Sequence, residues 1–391
     1  MRAVALIDGE HYAPVVRDAL AALPYAWVGA ILVGGTEKLR GGGDYGVPLV
    51  EDFGEAELVV DLSDEPVLGP PERFRWISRA LAAGLPYVGS DFRFDPPAFE
   101  PFELPSIAVI GTGKRVGKTA VTGHLARLIA RDRDVVVVAM GRGGPAEPEV
   151  IESPPDVAEL VALSRTGRHA TSDHLETAVL CGVPTIGCRR AGGGLAGAVF
   201  TSNVSEGARL AAARGPDVTI FDGSGAAIPP VAADWRVLVV GPGTEPDAYL
   251  NTYRRLISDV VVAIGCELEG AIRAELRLRA IEPLTGRVAV FTAGGRGVAH
   301  LDGEVVHVST SLADRAALRR ELAAVDADTY LVELKAAAID VVAEHALARG
   351  ARVVAAANDV VGDGLDEALL ALAAAGVGST GSPALPAPER G

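Results

Sequence analysis

The stretch Ser106-Ile-Ala-Val-Ile-Gly111-Thr-Gly-Lys-Arg-Val-Gly117-Lys118-Thr119-Ala-Val-Thr-Gly-His-Leu125 decides how the rest of the chain is read. It predicts an apolar strand, a loop rich in glycine and cations, and then a helix. In that order, backbone N–H groups gather on one concave side and the helix adds the positive end of its dipole, a combination that favours a phosphate. The spacing is that of a phosphate-binding loop, with Lys118 placed to reach β- and γ-phosphates and the Thr119 hydroxyl placed to bind Mg2+. Thr112 stands where the motif usually has its first glycine. Gly113, Lys114, Arg115, Val116, Gly117, Lys118, Thr119 and Ala120 are the predicted nucleotide contacts. A tight strand-to-helix turn with solvated lysines is the plainer alternative. Composition weighs against it: the only lysines are Lys38, Lys114, Lys118 and Lys335, arginine serving elsewhere, and two of them fall in this loop. A compact ammonium suits a phosphate there better than a wide guanidinium fork.

Working outward, Asp134-Val-Val-Val-Val-Ala-Met140 predicts a buried strand that opens into Gly141-Arg142-Gly143-Gly144-Pro145. Thr185-Ile-Gly187 leads to Arg189-Arg190-Ala-Gly-Gly-Gly194, and the intervening segment, Asp156 to Glu176, carries Arg165 and Arg168. Asp217-Val-Thr-Ile-Phe-Asp222 predicts a strand ending in an acid, followed by Gly223-Ser-Gly-Ala-Ala-Ile-Pro-Pro230. An acid at a strand tip beside a phosphate loop is placed to hold Mg2+ directly or through water, as a Walker B-like element. An acid that merely caps the next turn is the alternative. Arg236–Val240 and Asp259–Ile264 continue the sheet.

The flanks read as smaller α/β units. Strands at Ala3–Ile7, Ala30–Val33, Leu58–Asp61 and Leu85–Val88, with helices at Tyr12–Leu23 and Phe74–Ala83, fill residues 1–103. Their tips carry Asp8-Gly-Glu-His11-Tyr12, Gly34-Gly-Thr-Glu-Lys38 and Asp61-Leu-Ser-Asp64, where His11 is either a turn residue or a ligand contact. The proline-dense run Asp95–Pro105 marks a boundary. Residues 104–265 form the phosphate-loop core and 266–375 a C-terminal α/β unit, with strands at Val288–Thr292, Glu304–Val308, Tyr330–Glu333 and Arg352–Ala355. Its helices are expected at Leu312–Ala324, Ala336–Arg349 and Leu365–Ala375, and residues 376–391 as a disordered tail. Lys335 sits where a helix should begin, opposing the helix dipole unless an anion is near. The predicted architecture is therefore α/β: a P-loop NTPase parallel-sheet core flanked by smaller N- and C-terminal α/β domains.

A formal net charge of −15 disfavours a general nucleic-acid or anionic-membrane surface and makes each local arginine cluster more informative. No apolar run approaches a membrane span and no N-terminal signal is evident, which predicts a cytoplasmic protein without a membrane partner. Cys181, Cys188 and Cys266 are too few and too irregularly spaced for a disulfide framework or a zinc site.

Leu6-Ile-Asp-Gly-Glu-His-Tyr12, Gly111-Thr-Gly-Lys-Arg-Val-Gly-Lys-Thr-Ala-Val121, Gly141-Arg-Gly-Gly-Pro145, Gly223-Ser-Gly-Ala-Ala-Ile-Pro-Pro230 and Glu333-Leu-Lys-Ala-Ala-Ala-Ile-Asp340 together resemble the cyclic 2,3-diphosphoglycerate synthetase family. The core also looks like that of dethiobiotin synthetase. The first resemblance implies ATP- and Mg2+-dependent closure of the two phosphates of 2,3-diphosphoglycerate into an intramolecular anhydride, with ADP and phosphate released. It also implies a homodimer.

Joining two phosphates demands that one be activated and that the charge around both be neutralised. At about 4 Å, two like charges repel by ~4 kcal/mol at an effective dielectric near 20. Lys118, Lys114, Arg142 and Arg189 are the candidate catalytic cations. Arg142, Arg165, Arg168, Arg189, Arg190 and Lys335 are the candidate substrate ligands, and Thr119 with Asp222 the candidate metal ligands. Surface cations paired with carboxylates are the plainer account of any one arginine. Three other readings stay open: a 2-phosphoglycerate kinase, a ligase of the dethiobiotin-synthetase type, and a nucleotide-driven switch ATPase. A partitioning ATPase would need its extra lysine at Gly113, and a guanine-nucleotide metallochaperone its His/Cys cluster.

Overall fold

The computed structural model describes residues 1–35, 43–167, 172–295 and 297–375. These fall into two compact units that divide at Ala98/Phe99, inside the proline-dense run. The first unit is built on β1 (Arg2–Ile7), α1 (Ala13–Ala22), β2 (Ala26–Leu32), β3 (Leu58–Asp61), α2 (Pro70–Ala82), β4 (Tyr87–Val88) and β5 (Arg93–Phe94). Its strands form one sheet in the order β2-β1-β3-β4-β5. Pairings β1–β2, β1–β3 and β3–β4 are parallel, as alternating strands and helices require.

The second unit opens with β6 (Ser106–Gly111), α3 (Lys118–Ile129), β7 (Val135–Gly141), β8 (Glu149–Ile151), α4 (Val157–Arg165), α5 (Asp173–Cys181) and β9 (Thr185–Ala191). It continues through β10 (Thr201–Ser202), α6 (Val204–Arg214), β11 (Val218–Asp222) and β12 (Trp235–Val240). The helix α7 (Asn251–Leu256) belongs to the first unit. Then come β13 (Val260–Ile264), β14 (Ile272–Ala280), β15 (Arg287–Phe291), β16 (Glu304–Ser309), α8 (Arg315–Ala324) and β17 (Thr329–Glu333). A π-helix (Ala338–Ala343), α9 (Glu344–Ala348), β18 (Arg352–Val361) and α10 (Leu365–Ala375) complete it.

Its strands share one 13-stranded sheet, ordered β10-β9-β7-β11-β6-β12-β13-β14-β18-β17-β15-β16 with β8 beside β9. Every residue of β6, β7 and β11 is buried, and the near-continuous Val and Ile runs of these strands are what a parallel sheet covered on both faces calls for. The residues expected to form a core and a separate C-terminal unit thus lie on one sheet and cluster as one compact body. The joint is β14, parallel to β13 and antiparallel to β18. Its alternation of apolar residues with Arg273, Glu275, Arg277 and Arg279 is a strand pattern, but it was not among the strands expected from sequence.

Three helix boundaries differ from expectation: the helix expected from Phe74 opens at Pro70, since proline fits the first turn of a helix. The helix expected from Leu312 begins at Arg315, because the Asp314 carboxylate accepts the N–H groups of Ala316 and Ala317 and caps it there. The helix expected over 336–349 opens as a π-helix. Immediately before it Ala336 adopts φ 49° and the Lys335 N–H bonds back to the Glu333 carbonyl at 2.7 Å, so no regular turn can start at that point.

The core under the phosphate loop is the apolar face of α3 set against the sheet. Val121, Leu125 and Ala126 are fully buried among Ile107, Val109, Val137 and Ile220, and α10 closes over the same cluster with Leu365 and Leu369. Leu125→Ala would leave a cavity there and should lower the unfolding free energy by about 2–5 kcal/mol. Denaturant titration checks this, and a loss below about 1 kcal/mol would mean the site collapses without cost.

Candidate active site

Strand β6 ends at Gly111 and the chain turns through residues 112–117 into α3. Gly117 caps the helix at φ 95°, a backbone conformation that glycine adopts without strain. Arg115 is also left-handed, at φ 61°. Val116 is buried and anchors the loop from below. A methyl group on Gly241 would lie 2.6 Å from the Val116 Cα, so the strand tip after β12 approaches the loop backbone as closely as glycine permits. Lys114 and Arg115 are exposed on the outer side.

Lys118 does not point into open solvent: its ammonium bonds the Oδ1 of Asp222, at the tip of β11, and the Thr122 hydroxyl donates to the same oxygen at 2.9 Å. Burial pushes the Asp222 carboxyl above its ordinary range, while Lys118 and the Thr122 hydrogen bond pull it back. The loop lysine and the strand-tip acid, both anticipated, are therefore brought together as one buried ion pair.

Beyond Asp222 the Gly223–Gly225 turn folds against the phosphate loop. A methyl group on Gly225 would lie 3.7 Å from the Lys114 Cγ and 3.9 Å from an Arg190 nitrogen. Arg190 is fixed in place, donating to the Gly192 carbonyl at 2.7 Å and to the Ser224 carbonyl at 2.8 Å. Burial lowers its pKa, and the charge of Arg142 lowers it further. Arg142 and Arg189 are exposed at the ends of the neighbouring strands β7 and β9, where Gly141 pairs with Arg189. Lys114 and Arg190 thus meet at the turn after β11, with Arg142 close enough for its charge to act on Arg190; Arg189, next to Arg190 on β9, has its side chain on the opposite face of the strand.

Other anticipated residues fall elsewhere. Arg165 lies at the end of α4, 65% exposed, and pairs with Glu344 at 2.8 Å. Arg168, Lys38 and residues 376–391 lie outside the described residues. Lys335 has protein carboxylates beside it: Glu333 at 2.9 Å and Glu176 at 3.8 Å. Those partners answer the helix-dipole argument that had pointed to a ligand anion. In the first unit His11 is a turn residue, its N–H and Nδ1 both on the buried Asp8 carboxylate at 3.1 and 2.8 Å. Cys181 and Cys188 are buried, and burial pushes both thiols up to about 12. Among the described residues no helix is long and apolar enough to cross a membrane.

The residues that sequence reasoning passed over are carboxylates. Asp173 and Glu176 face the site from α5, and Glu333 closes β17. Glu333 ends an apolar strand just as Asp222 does, so the same signal could have found it. Burial pushes the Glu176 carboxyl up to about 7; Lys335 pulls it down, while the charges of Asp173, Glu333 and Asp222 add to the rise.

A glycine-bearing loop between a buried parallel strand and a helix, with its lysine on the acid of an adjacent strand tip, defines a nucleotide-binding P-loop protein of the NTPase class. Family models agree and are more specific. Those described as the P-loop domain, N-terminal domain and C-terminal domain of cyclic 2,3-diphosphoglycerate synthetase match residues 106–289, 2–95 and 296–359. A protein of Rubrobacter xylanophilus bearing that name is 48% identical, over 97% of this chain and 99% of its own. One from Pyrococcus furiosus is 39% identical over 95% and 97%, and one from Methanothermobacter thermautotrophicus is 36% identical over 94% and 95%. The chain belongs to the cyclic 2,3-diphosphoglycerate synthetase family.

Two outcomes test this geometry. Gly241→Ala should push the loop backbone at Val116 and weaken ATP binding by about tenfold or more, read by calorimetric titration. The carboxyl of Glu176 rises from the ordinary 4.5 to about 7, so the folded protein holds that proton more tightly than the unfolded one. Stability should then fall as pH rises across that window, by up to about 1.4 kcal/mol per pH unit. Glu176→Gln should lack this slope; parallel curves for the two proteins would discard the shift.

Proposed function

We propose that this chain uses ATP to close 2,3-diphosphoglycerate into cyclic 2,3-diphosphoglycerate, with release of ADP and phosphate. The observation that carries the reading is the phosphate loop with its Lys118–Asp222 pair, beside which Lys114, Arg142 and Arg190 make a partial ring of cations. A triphosphate needs the loop; a second, heavily anionic molecule needs the ring. The names of the relatives supply the identity of that molecule.

The chemistry asks for positioning and charge neutralisation more than for a strong base. The γ-phosphoryl group passes to one substrate phosphate as the bond to ADP breaks. An oxygen of the neighbouring substrate phosphate then attacks the phosphorus attached to the glycerate, forming the ring anhydride and expelling inorganic phosphate. Lys118 and the loop amides hold the β- and γ-phosphates. Lys114 and Arg142 neutralise the transferring group, and Arg189 and Arg190 hold the substrate with Lys335, as bidentate guanidinium groups suit terminal phosphates. Arg165 and Arg168 were also candidates; the pairing of Arg165 with Glu344 favours Lys114, Arg142, Arg189 and Arg190 over it.

The Thr119 hydroxyl and the Asp222 carboxylate are hard oxygen donors, and a set of two protein donors fits an ion that keeps waters and phosphate oxygens around it. The Lys118 and Thr122 bonds to Asp222 both fall on Oδ1. Mg2+ held there would neutralise charge on the transferring phosphate. The remaining parts of the reading are a cytoplasmic homodimer acting on a small anionic substrate, with no nucleic acid or membrane partner. The boundary after residue 103 belongs to it too, while the strands of 104–265 and 266–375 share one sheet. The acidic net charge and the family resemblance support these parts.

Phosphorus NMR of the protein with ATP, Mg2+ and 2,3-diphosphoglycerate should show a new anhydride pair of resonances together with ADP and phosphate. ATP consumed with no free phosphate would instead mark a kinase. Arg142→Ala and Arg189→Ala should each raise the KM for 2,3-diphosphoglycerate by about tenfold or more, or abolish turnover, while ATP binding stays largely intact. Unchanged kinetics in both would remove them from the substrate site.

A further inference from the structure

Lys335 combines an accessible ammonium with buried partners. Its side chain is 42% exposed, yet both carboxylates beside it are buried, Glu333 at 2.9 Å and Glu176 at 3.8 Å. Glu333 is held at both ends: Oε1 takes the Lys335 ammonium while Oε2 accepts the backbone N–H of Ala293 at 2.7 Å, in the turn after β15. It cannot follow the lysine outward without releasing that turn. The backbone around Lys335 is also unusual, with the short Lys335-to-Glu333 turn, Ala336 at φ 49° and a π-helix directly after. Left-handed non-glycine residues and π-turns concentrate where a side chain must be presented in one geometry.

We propose that Glu333 is a positioning residue that presents Lys335 as a preset cation for a phosphate of the second, multiply anionic substrate, with Glu176 as the outer contact that the phosphate displaces. A lysine stem is flexible, and a free one would have to be ordered as the ligand binds. A buried, doubly anchored carboxylate does that ordering in advance. The charges facing Glu176 make the outer contact replaceable. Asp173 lies on its own helix, Asp222 on β11 and Glu333 on β17, against Lys335 from the turn after β17, with Lys118 on Asp222. Three carboxylates therefore crowd Glu176, and burial pushes its carboxyl up to about 7, so near neutrality it can take a proton when the phosphate claims the lysine. This assignment rests on the synthetase reading above; what it adds is how Lys335 is held and which carboxylate gives way.

Steady-state kinetics of the full chain with ATP, Mg2+ and 2,3-diphosphoglycerate test it, using Glu333→Gln, Lys335→Ala and the double variant. Each single variant should raise the KM for 2,3-diphosphoglycerate by about tenfold or more while the KM for ATP stays within about twofold. The double variant should be no worse than Lys335→Ala, since Glu333 acts through the lysine. A merely structural Glu333 would move both KM values together or add its loss to that of Lys335→Ala, and either result overturns the proposal. Should Glu333→Gln fail to fold, the half-exposed Lys335→Ala still decides: an unchanged KM for 2,3-diphosphoglycerate sinks the proposal. Wild-type protein that forms no cyclic product would defeat the synthetase reading itself, whereas an active wild type with unaltered variants defeats only this inference.

Discussion

The buried contact between the Lys118 ammonium and the Asp222 carboxylate ties together the helix and the strand on which the nucleotide site depends. It joins the start of α3 to the tip of β11, and Thr122, one helical turn on, reinforces it from the same side. Two charges taken out of water gain by meeting only if the geometry is good and further hydrogen bonds satisfy what remains. Removing one partner leaves the other uncompensated, a loss of about 3–5 kcal/mol in comparable buried pairs. The pair is thus weak as a source of net stability and strong as a device of register. It fixes where the helix begins relative to the strand tip, and with it where the loop amides point.

Around that pair the charges are layered. Inside are Glu176, Asp222 and Glu333, three carboxylates sharing two lysines, with burial and the charge of the exposed Asp173 nearby raising the carboxyls of Glu176 and Asp222. Outside, Lys114, Arg142 and Arg189 are exposed at the loop and strand tips, while Arg190 is tethered to the turn that follows Asp222. A chain of net charge −15 would repel a polyanion at long range. Cations gathered at one set of strand tips reverse that field locally, within roughly a Debye length of about 8 Å. The inner acids keep the lysines placed, and the outer arginines stay available.

Local chemistry was legible in the sequence and long-range pairing was not. The placement of Lys118 at the loop and of Asp222 at a strand tip was readable because each follows from a strand, a turn and a residue type within about ten positions. The strands β6, β7 and β11 were readable because Val and Ile runs between polar turns have few other uses. Lys335 was correctly seen as needing an anion, but the partner comes from Glu333, two positions earlier, and from Glu176 on a helix far away in sequence. Helix-dipole reasoning says that a counter-charge is required, not whether the protein or a ligand supplies it. Arg165 drew attention through its neighbours in sequence, and its partner, Glu344, lies 179 positions along the chain. The strand β14 was missed although its period of two was plain: its alternating arginines and glutamate break the apolar runs by which the other core strands are recognised.

That strand also explains how the C-terminal segment reaches the site. Because β18 runs antiparallel to β14, and β17 runs with β18, the C-terminal strands run against the direction of β6, β7 and β11. Lys335 therefore cannot arrive as one more cation on the row of core strand tips. It is delivered instead by packing, in a cluster where Leu334, Ile339 and Ala343 sit with Leu160 and Val161 of α4 and Leu175 and Val179 of α5. Apolar contact between α5 and the segment after β17 is what sets Glu176 beside Lys335. The polar register of the site is thus inherited from the hydrophobic one, and the irregular backbone from Lys335 through the π-helix is the form the chain takes to satisfy both.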